Sequence, residues 1–202
     1  MNETLLTPSE AEAMEDHGKQ QAQAQYKSIA AMVAALNCDF ERLEELREER
    51  EALAEAVKEA EAVHAEACRS YSSSTHAQNR LIEARVALAD WDEENAEELN
   101  TLEHEAGEYS NADEARERIQ EDPLSVEVRS SWVSLGDVLS ADEFRILLCT
   151  GGPAVQIVGE LDRREPVRAW IEYQDWGTPW TQYLNADNDT LLTYCREFYF
   201  GA

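Results

Sequence analysis

The side chains of this chain that could do chemistry are few and poorly matched to one another. Its four histidines, His17, His64, His76 and His104, lie far apart in sequence. His64-Ala65-Glu66 has the His-x-Glu form used by zinc deaminases, but no Pro-Cys-x-x-Cys follows to complete a ligand set. His104 stands between Glu103 and Glu105, a setting for a surface group. The cysteines Cys38, Cys68, Cys149 and Cys195 form no Cys-x-x-Cys pair and read as reduced, mostly buried thiols. A thiol or hydroxyl nucleophile needs a base within hydrogen-bond reach, and no histidine follows His104. Gly151-Gly152-Pro153 lacks the Gly-Lys-Ser/Thr of a phosphate loop and reads as a helix stop and turn. The expectation is a protein without catalytic residues, cofactor or metal site, one that acts by binding.

The unusual chemistry is acidic. From Val86 to Ala115 the chain carries Asp90, Asp92, Glu93, Glu94, Glu97, Glu98, Glu103, Glu105, Glu108, Asp113 and Glu114, with no Lys or Arg. On one helix this is about one charge per 4 Å of axis, close to the one per 3.4 Å of a DNA strand. Asp90/Glu94, Glu93/Glu97 and Glu94/Glu98 are like-charge pairs four apart, each costing a few tenths of a kcal/mol. The helix from Glu41 to Glu61 instead intersperses Arg42, Arg47, Arg50 and Lys58 among its acids. Three readings follow for the uninterrupted run: a solvated face, a phosphate-mimicking surface for a basic partner, or a cation site. The last lacks the Asp-x-Asp-x-Asp-Gly loop of a calcium cage.

The whole chain shares this character. Its 202 residues carry 43 acidic and 17 basic side chains, a net −26. Such a field repels nucleic acid and anionic membranes and attracts basic protein surfaces, at rates that fall with salt. No basic region followed by an apolar run opens the chain, and no stretch approaches the roughly 20 apolar residues of a membrane span. The expectation is a cytoplasmic protein.

The elements that must position these groups fall into two blocks. Residues 1–121 read as an acidic helical region. Thr7-Pro8-Ser9-Glu10 is a capping box that opens a helix to about Leu36, weakened by Gly18 and the Gln20–Gln25 run. Asp39 caps a second helix, where Leu43, Leu46, Leu53, Val57, Ala60, Ala67 and Tyr71 recur at coiled-coil spacing. Ser72-Ser73-Ser74-Thr75 breaks it, and Leu81, Leu88, Trp91, Leu99 and Leu102 mark a return helix ending at Gly107. That predicts an antiparallel helical hairpin, with homodimerisation of this arm as an open option, followed by a short helix from Ala112 to Gln120.

Residues 122–202 read as a compact α+β domain, a small antiparallel sheet with two helices. Leu124–Val133 alternates as a strand, and Ser140 caps a helix through Cys149. Ala154–Leu161 and Pro166–Tyr173 are strands joined by Asp162-Arg163-Arg164-Glu165, a third short strand ends near Tyr183, and Asp187-Asn188-Asp189 starts a last helix. Trp176 and Trp180 flank a Gly-Thr-Pro turn, and turns are exposed more often than buried. These two are the candidates for a protein-contact hot spot.

Three segments of this second block, Glu121–Val126, Phe144–Asp162 and Glu172–Thr181, with the ending Phe198-Tyr199-Phe200-Gly201, resemble a family of small uncharacterised phage, prophage and plasmid proteins. The resemblance covers about 80 residues, excludes the helical arm and brings no known activity. It implies an accessory role on a mobile element, where countering host defence is common. Joined to the charge, it leads to the expectation of an anti-CRISPR or anti-restriction inhibitor that acts as a DNA mimic. Its acids Asp90 to Glu108, with Trp176 and Trp180, would contact a nucleic-acid-binding complex. The alternative is a coiled-coil adaptor that dimerises and docks another protein.

Overall fold

The computed structural model describes residues 16–69 and 75–200. The capping box at Thr7–Glu10 lies outside them, as does the break at Ser72–Ser74. The fold is α+β. Helices α1 (His17–Asn37), α2 (Phe40–Arg69), α3 (Thr75–Ala106) and α4 (Ala112–Glu121) come first. Strands β1 (Ser125–Arg129), β2 (Glu143–Cys149), β3 (Ala154–Asp162), β4 (Glu165–Gln174) and β5 (Thr181–Tyr183) follow, then α5 (Asn188–Cys195). All described strands therefore lie after Glu121. Packing divides the chain into two units, one drawn from Met1–Ala34 with Asp113–Ala202, the other Ala35–Ala112. The boundary drawn from composition at Glu121 is not the boundary of packing, because α1 and α4 supply buried residues of the sheet unit.

The five strands form one antiparallel meander in the order β1-β2-β3-β4-β5. Cross-strand partners share a face, so the register sorts the sheet in two. Phe144, Ile146, Val155, Ile157, Gly159, Ala169 and Ile171 line the apolar face. Glu127, Arg129, Glu143, Arg145, Gln156, Glu160, Arg168, Trp170 and Glu172 line the polar one. Within this unit α1 meets the apolar face. Gly18 sits where a Cβ would fall 2.8 Å from the Tyr173 ring, and Tyr26 packs on Tyr183 with centroids 6.3 Å apart. Gly18, whatever its cost to the helix, makes room for that ring.

The helix expected from Ser140 to Cys149 is strand β2. Phe144, Ile146 and Leu148 are buried while Arg145 is exposed, a period of two. Both edges of the segment are hydrogen-bonded, to β1 and β3. The Ser140 hydroxyl reaches the Asp142 carboxylate at 3.3 Å instead of capping a helix. The described part of the second block therefore has one helix after Glu121, not two. That helix starts as expected: the Asp187 carboxylate accepts from the Thr190 N–H at 2.8 Å. The β3–β4 turn places Arg163 and Arg164 at φ 50° and 76°, the left-handed geometry of a two-residue hairpin.

Candidate functional site

The acids from Asp90 to Glu108 belong to the hairpin unit, whose frame is set by a few residues, while Asp113 and Glu114 belong to the other unit. The Asp39 carboxylate accepts from the Arg42 N–H at 3.0 Å and caps α2. Cys38, Leu43, Leu46, Leu99 and Ala106 form the buried seam, with Phe40, Trp91 and Leu102 packed against it. Burial drives the Cys38 thiol above its ordinary pKa, and the nearby Glu105 carboxylate adds to this. The hairpin holds 21 acidic and 7 basic side chains between Ala35 and Ala112, a net −14 of the chain's −26.

The acids of α3 divide into two sets. The first faces α2. Glu98 accepts from Arg42 Nε and Nη2 at 3.0 and 3.1 Å, a bidentate pair. Asp92 takes Arg50 at 2.8 Å and Glu103 takes Arg47 at 3.4 Å. In the reverse sense Arg85 of α3 reaches Glu61 of α2 at 2.6 Å, and the Trp91 indole donates to Glu49 at 3.0 Å. The hydrogen bond from Arg42 lowers the Glu98 pKa, and the same bond raises that of Arg42. The run has no Lys or Arg of its own, but part of it is compensated across the hairpin: Asp92, Glu98 and Glu103 are cross-helix partners of arginines 42 to 56 residues away.

The second set faces solvent. Asp90, Glu93, Glu94 and Glu97 are exposed and form no ion pair among the described residues. With about 3.6 residues per turn they lie opposite the seam positions Leu88, Trp91 and Leu99. A matching row, which sequence reasoning passed over, lies on α2: Glu44, Glu48, Glu51, Glu55 and Glu59, all exposed and opposite Leu43, Leu46 and Ala60. Its signal was in the sequence as the spacing four, three, four, four. Among the described residues, Glu55 alone of this row forms an ion pair, with Lys58 at 3.0 Å. Because the two seams face each other, the two rows face away from each other. Of the remaining candidates, Glu105 is half-buried, and Glu108 lies in the turn after α3 and not on a helix. The acidic stretch is therefore interrupted as a helix at Ala106, where Gly107 adopts φ 55°.

Trp176 and Trp180 belong to the other unit. Trp176 is 81% exposed and Trp180 38%. Their turn is held by the Thr178 N–H and hydroxyl on the Asp175 carbonyl, at 3.1 and 3.0 Å, with Gly177 at φ 73°. A second apolar exposure was not anticipated as such. Between β1 and β2, Trp132, Leu135, Val138 and Leu139 are all exposed, Trp132 and Leu135 completely. On the polar sheet face, Gln156 is 5% exposed; its amide nitrogen donates to Glu172 at 2.9 Å, while Oε1 meets no donor among the described residues.

No group of three or more metal-ligating side chains comes together among the described residues. All four cysteines are free. Cys38 and Cys195 are buried, Cys149 is half-buried, and Cys68 is exposed, 3.8 Å from His64 Nε2. Burial raises the pKa values of Cys149 and Cys195, keeping both thiols protonated and poorly nucleophilic. No described helix is long and apolar enough to cross a membrane. Comparison with protein-family models, curated proteins and solved structures finds no match to this chain.

Proposed function

We propose that this chain is a non-catalytic binding protein of the anti-CRISPR or anti-restriction type. Its acidic hairpin would compete with DNA for a basic groove on a host nucleic-acid-binding complex. The observation that carries the reading is the pair of outward rows left over once the cross-helix ion pairs are formed. Asp90 to Glu97 places four carboxylates over about 10 Å of helix axis, near the charge spacing of a DNA strand. Rows on opposite sides of a two-helix blade suit a groove with basic residues on both walls. Competition needs no turnover, which agrees with a chain whose buried thiols Cys38 and Cys195 are held protonated and whose histidines are scattered in sequence. The test is displacement of a labelled DNA duplex from purified restriction and CRISPR effector complexes. The proposal requires displacement at low salt that fades as salt rises; failure to compete with DNA at low salt across the panel would remove it.

A second reading, a structural adaptor, is favoured by Trp132, Leu135, Val138 and Leu139, which stand in solvent, as does Trp176 of the same unit. Docking through those residues buries apolar surface, so its affinity would hold or rise with salt and would be indifferent to excess DNA.

A further inference from the structure

The sheet has an edge that its own sequence can complete. Strand β1 pairs only with β2, and nothing among the described residues lies hydrogen-bonded along its other side. Edges of this kind are normally guarded by proline, charged side chains, a bulge or an inward charge. Ser125-Val126-Glu127-Val128-Arg129 has no proline, bulge or inward charge, and its two charges, Glu127 and Arg129, are already paired with Arg145 and Glu143. Its two valines lie on the apolar face, partnered with Ile146 and Phe144, and yet are 39% and 42% exposed.

The backbone of this edge is suitably disposed. The Arg129 carbonyl accepts from the Asp142 N–H at 3.0 Å, so Arg129 and Glu127 turn their backbone groups toward β2. In an antiparallel ladder the alternate residues turn theirs the other way, which leaves the N–H and C=O of Val126 and Val128 on the open side.

The charges then select a partner. Within the chain Glu127 pairs with Arg145 and Arg129 pairs with Glu143, both across β1–β2 on the polar face. We infer that β1 pairs antiparallel with β1 of a second copy, with Val128 opposite Val128 of that copy. This register sets Glu127 opposite the second copy's Arg129, and the reverse, on either side of the two-fold axis. Each row then runs Arg145, Glu127, Arg129, Glu143 across four strands with alternating sign, and the exposed valines of the two copies adjoin on the apolar face. Shifting the copies to bring Glu127 opposite Glu127 places like charges face to face, which is destabilising. The interface is isologous, as a two-fold dimer requires, and the two sheets become one of ten strands. It is independent of the acidic rows and uses a different surface from a coiled-coil arm.

The experiment is sedimentation of the full chain over a concentration series into the hundred-micromolar range at about 0.15 M salt, where charges beyond roughly 8 Å are screened. The expected mass rises toward twice 22.9 kDa. Val128→Pro removes a donor that points away from β2 and holds residues 127 and 128 in extended backbone that an edge strand tolerates, so this variant should keep the wild-type circular dichroism and stay at the single-chain mass. As a second measurement, Val128→Cys and Glu127→Cys are compared in a Cys68→Ser background, which removes the exposed thiol. Val128→Cys should form a disulfide-linked dimer several-fold faster, since it lies on the two-fold axis. A wild-type chain that stays at 22.9 kDa throughout overturns the inference. So does a dimer that survives Val128→Pro, or faster cross-linking at position 127. If the proline variant fails to fold, the cross-linking comparison decides.

Discussion

Replacing Gly159 by alanine probes the part of the fold on which the whole sheet unit depends. Gly159 stands in β3 between Phe144 of β2 and Ala169 of β4, on the apolar face. A Cβ there would lie 2.3 Å from the Arg168 backbone oxygen and 2.3 Å from Cζ of the Phe144 ring. The ring is itself pinned, buried and packed at a tilt against Phe200 with centroids 4.8 Å apart. The carbonyl belongs to the β3–β4 pairing and has no rotamer to adopt. Overpacking costs about 1–3 kcal/mol; two obstacles at once, one of them backbone, place this substitution near 3 kcal/mol. At about 2–4 °C per kcal/mol for a chain of this size, the melting transition of the sheet unit should fall by about 6–12 °C. Scanning calorimetry reads it directly. Phe144→Leu added to Gly159→Ala should restore only part of the loss, because the carbonyl remains. A shift under about 2 °C, or full rescue by the leucine, would show that Phe144 does not lie over Gly159 as described.

Other perturbations have equally definite signs. The Tyr194 phenol is fully buried and donates to Asp122 at 2.9 Å; Tyr194→Phe should cost about 1–2 kcal/mol in urea denaturation, and no loss would contradict that bond. Asp142, held low by the Ser131 hydroxyl, Asp187, held low by the Thr190 N–H, and Glu98, held low by Arg42, have folded pKa values below the ordinary carboxylate range. Their contribution is complete above that range and is lost as pH falls through the lowered values. The urea midpoint should therefore hold between pH 7 and 5 and drop below about pH 4; a midpoint that rises there would mean that relief of acid repulsion dominates. Chelator should leave the melting temperature unchanged, and a drop of several degrees would reveal a metal-ligand set in the folded chain.

What could be read from the sequence was whatever depends on neighbours along the chain. The seam of α2 and α3, the Asp39 and Asp187 caps, the Gly107 stop and the Arg163-Arg164 turn are all local patterns, and each stands where the residues put it. β2 was not legible, because Phe144 to Cys149 is a short apolar run that suits a helix or a buried strand equally. Only its two neighbouring strands decide it. Gly18 reads as a helix weakness until Tyr173, 155 positions further on, is found against it. The pairing of the acids was hidden for the same reason. Along α3 alone, Asp92 and Glu98 look like members of a repulsive row, whereas Arg50 and Arg42 come from the antiparallel partner. The solvent-facing subset and the parallel row on α2 emerge only when the seam of each helix is known.

The division between paired and solvent-facing acids makes the central claim directly testable. Asp90→Asn with Glu93→Gln, Glu94→Gln and Glu97→Gln removes the outward row of α3 and leaves the pairs Arg42–Glu98, Arg47–Glu103 and Arg50–Asp92 intact. Helicity should hold or rise, since the like-charge contacts at Asp90/Glu94 and Glu93/Glu97 are relieved. The decisive measurement is displacement of a labelled duplex from purified restriction and CRISPR effector complexes by the wild-type chain and by this variant, as a function of salt. The account predicts displacement by the wild type that weakens as salt rises, and clearly weaker displacement by the variant with a shallower salt dependence. A variant that displaces DNA as well as the wild type at low salt would contradict it, and would leave the outward acids as a solvated face.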